Sequence, residues 1–203
     1  MKALNHLNLY EAKDKRQREA AEDKIKKSSM TFEEKAVQTD RLIPKDFRRE
    51  WIGKEGQLSF DDSLIIDYRA NLMIRGVAIY KTADHIVFTK FFYEAVNKKK
   101  YESKVPLEHG VLRKLECKKI FGKSNSYLKN FKVSITSEKI TRVELIWSDG
   151  EVCVEGWEIE ASSKFRADID EEERPILMFG SVGVVSKNNY ALCSLGCEVG
   201  SID

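Results

Sequence analysis

The chain has 203 residues, of which 42% are hydrophobic and 33% are charged, with a formal net charge of +2. This length suits one domain of ordinary size plus a tail, and a net charge so close to neutral predicts no particular partner. The sequence contains no run of about 18 or more apolar residues and no apolar signal core at its charged N-terminus. We therefore expect neither a membrane-spanning helix nor secretion.

The first predicted element is a charged N-terminal arm, residues 1–46. Its first half is rich in helix formers but has few large apolar side chains after Tyr10, so a helix there would have little surface to bury. We expect this arm to be flexible and to precede a single compact domain over residues 47–203. The arm also supplies candidate contact residues, apolar ones for self-association and basic ones for binding polyanions: Leu4, Leu7, Leu9 and Tyr10, and Lys13, Lys15, Arg16 and Arg18.

The next clear element is a predicted helix over Ile86–Asn97. Thr82 or Asp84 can cap its N-terminus, and a lysine triplet follows at the end where the helix dipole is negative. Its aromatic side chains recur at helical spacing, which predicts that they face the core. We therefore expect this helix to pack on a sheet.

The remaining predicted elements are strands. Their segments are Ser63–Tyr80, Phe131–Ile135, Lys139–Trp147, Glu151–Glu160, Ile176–Val185 and Tyr190–Val199. Asp149-Gly150, between two of them, is a strong hairpin signal. In Glu151–Glu160 the alternation of apolar residues with glutamates predicts a strand with an acidic outer face. Together with the helix, these strands predict an α+β fold in which an antiparallel sheet carries one main packed helix.

Side chains that could carry catalysis or bind a metal are sparse. The three histidines lie far apart in the sequence, and the four cysteines lack the spacing of a zinc site. No glycine-rich phosphate loop or nucleophile motif occurs. We therefore predict no catalytic residue, no metal, no cofactor and no enzymatic activity, with the cysteines present as reduced thiols.

Charge is distributed unevenly along the domain. Residues 98–132 contain eleven lysines and arginines against three acidic residues, whereas residues 138–175 contain twelve acidic residues against five basic ones. An excess of like charge destabilises a compact chain unless a partner neutralises it, although a solvated face is the alternative. The predicted polyanion-binding residues are Lys98, Lys99, Lys100, Arg113, Lys114, Lys118, Lys119 and Lys123. Such a surface could bind anionic lipid, or RNA phosphates without reading bases.

Two short blocks near the C-terminus carry a family resemblance. Ser162–Phe165 (Ser-Ser-Lys-Phe) is followed by Leu177–Gly180 (Leu-Met-Phe-Gly), downstream of the predicted hairpin. In this order and spacing, residues 131–199 resemble the C-terminal part of vesicular-stomatitis-type rhabdovirus matrix proteins. The resemblance implies a viral matrix protein that self-associates through its N-terminal arm, condenses the viral nucleocapsid and links it to the anionic inner face of a membrane during budding. It also implies a place under the virion envelope and in the host cytoplasm, membrane periphery or nucleus, with host factors as further partners.

The sequence departs from that family in its prolines. With only Pro44, Pro106 and Pro175, it contains no PPxY or PTAP motif for late budding. The main alternative is a viral nucleic-acid-binding accessory protein of the movement or silencing-suppressor type, which would bind RNA non-specifically. An enzyme whose cleft is built from residues distant in the sequence is the third reading.

Overall fold

The computed structural model describes residues 48–66, 72–186 and 189–201. The predicted arm lies outside these ranges, and the domain boundary at residue 47 stays a prediction. So do the roles of its contact residues, which are Leu4, Leu7, Leu9, Tyr10, Lys13, Lys15, Arg16 and Arg18. Within the described ranges, no helix is long and apolar enough to cross a membrane.

Strands make up 63% of the described chain, and nearly all of its regular secondary structure. In chain order they are β1 (Arg48–Gly53), β2 (Leu58–Asp61), β3 (Leu72–Lys81), β4 (Ile86–Ala95), β5 (Lys100–Glu102), β6 (Glu116–Phe121), β7 (Leu128–Thr136), β8 (Lys139–Trp147), β9 (Val152–Gly156), β10 (Ser163–Arg166), β11 (Glu173–Ser186) and β12 (Asn189–Ser201). One turn of 3-10 helix (Asp62–Leu64) follows β2, and a short helix, α1 (His109–Leu112), precedes β6. The α+β prediction is therefore wrong, because the described residues include no helix long enough to cover a sheet.

The described strands form three four-stranded antiparallel sheets. The first sheet has the order β1-β12-β11-β2, the second β5-β4-β3-β6 and the third β10-β7-β8-β9. Each is built around one hairpin, namely β11–β12, β3–β4 or β7–β8, with one further strand on either side. Strands of each sheet contact strands of the other two, so the sheets enclose one core as the three sides of a prism.

The core lies between the inner faces of the three sheets. Phe91, Val143 and Leu195, one from each sheet, are fully buried. Phe60 of β2 meets Phe88 of β4 edge to face, with ring centroids 5.1 Å apart. Burying a side chain of this size stabilises a fold by about 1.5–3 kcal/mol. Apolar contacts between sheets therefore take the place that the expected helix would have filled.

The predicted helix over Ile86–Asn97 is strand β4. From Lys90 onward its side chains alternate, with Phe91 and Tyr93 buried and Lys90 and Phe92 partly exposed. Its first four residues are all buried, so no alternation marks that half of the strand. A short apolar run buried on both faces cannot be told from a helix by periodicity, which is why the prediction was wrong.

Turns and hairpins follow the sequence more closely. The β7–β8 and β8–β9 hairpins and the final β11–β12 pair confirm the strands predicted there. Gly150 adopts a φ of +84° in the turn before β9, a conformation that glycine reaches at little cost. Thr82 and Asp84, expected as helix caps, instead form the β3–β4 turn, where the Thr82 hydroxyl donates to the Asp84 carboxylate at 2.7 Å. β3 covers only the later part of the segment predicted from Ser63.

The predicted acidic outer face of Glu151–Glu160 is wrong for the part of that segment that forms a strand, β9. Glu155 is buried, whereas its neighbour Val154 is 39% exposed. The buried carboxylate forms ion pairs with Lys81 of β3, at 3.0 Å, and with Lys118 of β6. Because these lysines belong to the second sheet, Glu155 faces that sheet and the strand turns its valines outward.

Candidate functional site

A groove of about 630 Å³ lies on the outer face of the second sheet. It is lined by the end of β4, the short strand β5, the end of β6 and the loop of residues 122–125. Its volume lies within the range of small-molecule sites, and both apolar and charged side chains line it. This groove is the strongest candidate for a ligand site in the part of the chain that the structure describes.

Two aromatic rings form an exposed surface in this groove. Phe121, the last residue of β6, is 57% exposed, and its ring lies against Gly76 of β3. A Cβ atom at Gly76 would stand 2.3 Å from Phe121 Cδ1, so the ring can lie there only because position 76 has no side chain. The centroids of the Phe92 and Phe121 rings are 5.3 Å apart, and the two ring planes are tilted by 33°. We call Phe121 and Phe92 the aromatic platform.

Arg75 reaches the groove from a β-bulge. The register of β3 against β4 shifts between Ile74 and Gly76, which leaves Arg75 without a paired residue on β4. A bulge re-aims the side chain of its extra residue. Arg75 Nη1 donates to the carbonyl of Ser126 at 2.8 Å, which holds the guanidinium in place. The bulge thus holds the charged side chain of Arg75 in a fixed position beside Gly76, the glycine that lies under the platform.

Glu94 lies among three cations. Its carboxylate accepts a hydrogen bond from Lys98 Nζ at 3.0 Å. That hydrogen bond, together with the charges of Lys98, Arg75 and Lys100, lowers the pKa of Glu94 below its ordinary value. Glu94 is therefore ionised at neutral pH, and one negative charge faces three positive ones.

The loop at the edge of the groove rests on a buried tryptophan. Gly122 follows β6, and a Cβ atom there would lie 2.8 Å from Cε3 of Trp147, whose side chain is buried. Ser124 and Asn125, further along the loop, are exposed and line the groove. The core ring holds the loop from below, while the polar side chains above it are open to a ligand.

A buried hydrogen-bond network beneath the groove joins the second sheet to the first. The Tyr93 hydroxyl donates to the Asp62 carboxylate and accepts from the backbone N–H of Met178 at 3.1 Å. Ser103 Oγ donates to the same carboxylate at 2.6 Å. Burial raises the pKa of Asp62 to about 7. Because Tyr93 lies between Phe92 and Glu94 on β4, the network fixes that strand beneath the groove.

The structure brings together only part of the predicted polyanion-binding surface. Lys98, Lys100 and Lys123 line the groove. The ammonium of Lys99 lies over the ring of Tyr101, 4.9 Å from its centroid. The other predicted residues are exposed but do not line the groove; they are Arg113, Lys114, Lys118 and Lys119. A polyanion-binding role for these residues stays a prediction.

Sequence reasoning missed the residues that define the groove. Arg75 carries no local signal, because its bulge depends on the register of β3 with a neighbouring strand. Helical spacing grouped Phe92 with Phe91 in the core, whereas successive residues of a strand point to opposite faces. The available signal was Gly76, since a glycine inside an apolar strand marks a bulge or a close approach.

Groups that could hold a metal do not converge in residues 48–66, 72–186 and 189–201. No cluster of three histidine, cysteine, aspartate or glutamate side chains occurs there. The cysteines are free thiols. The side chains of the groove offer apolar contact, hydrogen bonding and ion pairing.

No protein-family model matches the sequence, and a search of curated protein sequences finds no match. The fold matches the β-prism of jacalin-related lectins. A mannose-specific jacalin-related lectin from Morus nigra aligns with a TM-score of 0.56 at 12% identity, covering 77% of this chain and 96% of the lectin. The mannose-binding lectin of champedak gives 0.55 at 14% identity, over 78% and 99% of the two chains. A mannose-binding jacalin-related lectin from Ananas comosus gives 0.54 at 14% identity, over 77% and 99%.

These matches overturn the resemblance to rhabdovirus matrix proteins. The two blocks that carried it lie in different sheets, Ser162–Phe165 around β10 of the third and Leu177–Gly180 in β11 of the first. Short blocks of strand-forming residues recur in many folds, so their order did not identify one. The predictions of a viral matrix protein, of nucleocapsid and membrane partners, and of a nucleic-acid-binding alternative are therefore wrong.

Proposed function

We propose that this domain is a non-enzymatic glycan-binding module and that the groove on the second sheet is its binding site. The aromatic platform carries the proposal. A sugar ring has an apolar face of C–H groups and a rim of hydroxyls, and binding sites for small ligands pair an apolar surface with a few placed polar groups. Phe121 and Phe92 offer the apolar surface, and the polar side chains around them can bind the hydroxyls.

The fold supports this proposal from a second direction. The structures with this β-prism include lectins described as mannose-specific or mannose-binding. Their sequence identity to this chain is low, so the similarity supports only the class of ligand, a glycan. The binding site and the kind of sugar have to be argued from this chain's own residues. Because fold alone does not define function, the proposal has to be tested by substitutions in the groove.

The experiment is a glycan array with the purified protein, followed by calorimetry on the glycans that bind, neutral mannosides included. Phe121→Ala should weaken binding by roughly tenfold or more, since the variant removes apolar contact equivalent to about 1.5 kcal/mol. Phe165→Ala is the matched control, because Phe165 is also exposed, at 45%, but lies on β10 of the third sheet. Failure of every glycan to bind, or equal binding by Phe121→Ala, would contradict the proposal.

A further inference from the structure

The charges of the groove point to the kind of glycan. Its lining includes two carboxylates against four cations; the cations are Arg75, Lys98, Lys100 and Lys123. We propose that the groove selects acidic saccharides, that is, glycans carrying a carboxylate or a sulfate ester. This inference rests on the glycan binding proposed above and names the class of sugar at that same site.

Both carboxylates of the groove are already neutralised by lysines. Glu94 pairs with Lys98 at 3.0 Å, and Glu102 pairs with Lys90 at 2.9 Å. Lys90 does not line the groove, so the pair between Glu102 and Lys90 involves none of the four cations that do. The repulsion that these glutamates would exert on an anionic ligand is therefore offset where each of them stands.

Lys98 pairs with Glu94, and Lys123 pairs with Glu151 at 3.1 Å. The other two cations of the groove remain without a carboxylate. Within the described ranges, neither Arg75 nor Lys100 forms an ion pair, and their charges act together on Glu94. Arg75 donates one N–H to the carbonyl of Ser126, and its other N–H groups have no hydrogen-bond acceptor among the described residues, so they can bind a ligand. A guanidinium fork binds a carboxylate or a sulfate through paired hydrogen bonds, in a geometry that an ammonium cannot reproduce.

The position of these cations beside the aromatic platform favours a saccharide over a small inorganic anion. Arg75 directly precedes Gly76, on which the ring of Phe121 lies. Lys100 is paired in register with Glu94 on the neighbouring strand, two residues along from Phe92. A sugar ring stacked on the platform would therefore present an acidic substituent to Arg75 or Lys100. A free ion would use the charges and leave the platform uncovered.

The first test compares trigalacturonate with its methyl ester by calorimetry. The two share every ring and differ only at the carboxyl groups, which are charged in the acid and uncharged methyl esters in the other. We expect the acid to bind roughly tenfold or more tightly than the ester, as one charge-assisted hydrogen bond would give, and to lose affinity as salt rises. A sulfated chondroitin disaccharide against its unsulfated form shows whether sulfate is preferred to carboxylate.

The second test uses matched variants. Arg75→Gln with Lys100→Gln should abolish the preference for the acid, so that the ratio of acid affinity to ester affinity falls to about one. Arg113→Gln with Lys114→Gln removes the same two charges from exposed positions outside the groove and should leave the preference unchanged. Melting curves verify folding, and Lys100→Gln alone, with a partial loss of preference expected, serves if the Arg75 substitution disturbs the bulge.

The outcomes separate the two proposals. If the acid and its ester bind equally, or if both double variants weaken the acid to the same degree, the inference of acid selectivity is overturned while glycan binding stands. If neither these saccharides nor any glycan of the array binds, glycan binding itself fails, and the inference fails with it.

Discussion

Asp62 shows how one buried carboxyl couples the stability of the fold to pH. Two hydroxyls, from Tyr93 and Ser103, donate to it inside the prism, and burial raises its pKa to about 7 from 3.8. A carboxyl whose folded pKa is raised favours the protonated form in the folded state. Its contribution to stability is therefore fully present below about pH 4 and is lost as the pH rises through about 7.

We predict that Asp62→Asn removes this pH dependence. Between pH 4 and pH 8 the free energy of unfolding of the wild type should fall by roughly 3–4 kcal/mol more than that of the variant, since one pKa unit corresponds to about 1.36 kcal/mol. Urea unfolding of both proteins at pH 4.5, 6 and 8 measures the difference, in which other titrating groups cancel. Parallel pH profiles would show that Asp62 titrates normally.

Among the elements, β4 and β9 show where sequence patterns mislead. In β4 the first half is buried on both faces, so the alternation that identifies a strand begins only at Lys90. In β9 the alternation is visible, but Glu155 is buried because two lysines of the second sheet neutralise it. Alternation of charged and apolar residues assigns the faces of a strand correctly only if the charged side chains are exposed. A carboxylate that is neutralised by ion pairs can be buried, so the assignment fails there.

The β7–β8 and β8–β9 hairpins could be predicted, because the information that specifies them is local. Alternating apolar residues run on both sides of Asp149-Gly150, and the glycine supplies the positive φ that the turn requires. The groove is the opposite case. Arg75 and Phe121 meet only because β3 pairs with both β4 and β6, a register that no local pattern encodes.

We predict that Glu155→Gln destabilises the domain by about 3 kcal/mol. The substitution removes the buried partner of Lys81, whose side chain is 12% exposed, and leaves it only the exposed carboxylate of Glu116 at 3.1 Å. Breaking a buried pair costs about 3–5 kcal/mol, and the remaining pair keeps the cost at the lower end of that range. Burial alone would raise the pKa of Glu155, but its hydrogen bonds with Lys118 and Lys81 outweigh this and lower it. The stabilisation should therefore be complete above the ordinary glutamate pKa of 4.5 and fade as the pH falls through the lowered pKa of the folded state.

The control for that prediction is Glu138→Gln. Glu138 also pairs with a lysine, Lys54, but both side chains are largely exposed. Exposed pairs contribute about 0–1 kcal/mol, so this variant should unfold within that range of the wild type. Equal effects of the two substitutions in chemical denaturation would show that the Glu155 pairs do not join the second and third sheets.

At the scale of the whole molecule, the two ends of the described chain meet in one sheet. β1 pairs with β12 along its full length, and β2 pairs with β11, so the first sheet forms only when distant segments meet. Pairing between such remote segments leaves no trace in local periodicity. The arrangement of three sheets around one core therefore could not be predicted from sequence patterns, although most of the C-terminal strands could.

We predict that a chain starting at residue 47 folds cooperatively, whereas one starting at residue 54 does not. The shorter chain loses β1 and with it Arg49, which pairs at 2.7 Å with Glu198, a side chain that is only 1% exposed. A buried carboxylate left without its cation, next to an unpaired edge of β12, destabilises the prism. Thermal unfolding of both chains tests this, and a non-cooperative melt of the longer one would place the preceding residues inside the domain.

The contact between Gly122 and Trp147 gives the protein its own optical reporter. The loop that borders the groove rests on the indole ring, so a ligand that shifts the loop changes the surroundings of a buried fluorophore. Emission from Trp147 should respond to occupancy without any label. Replacing the other two tryptophans, Trp51 and Trp157, by phenylalanine would leave a single-fluorophore protein with which saccharide titrations can be followed directly by intensity and wavelength.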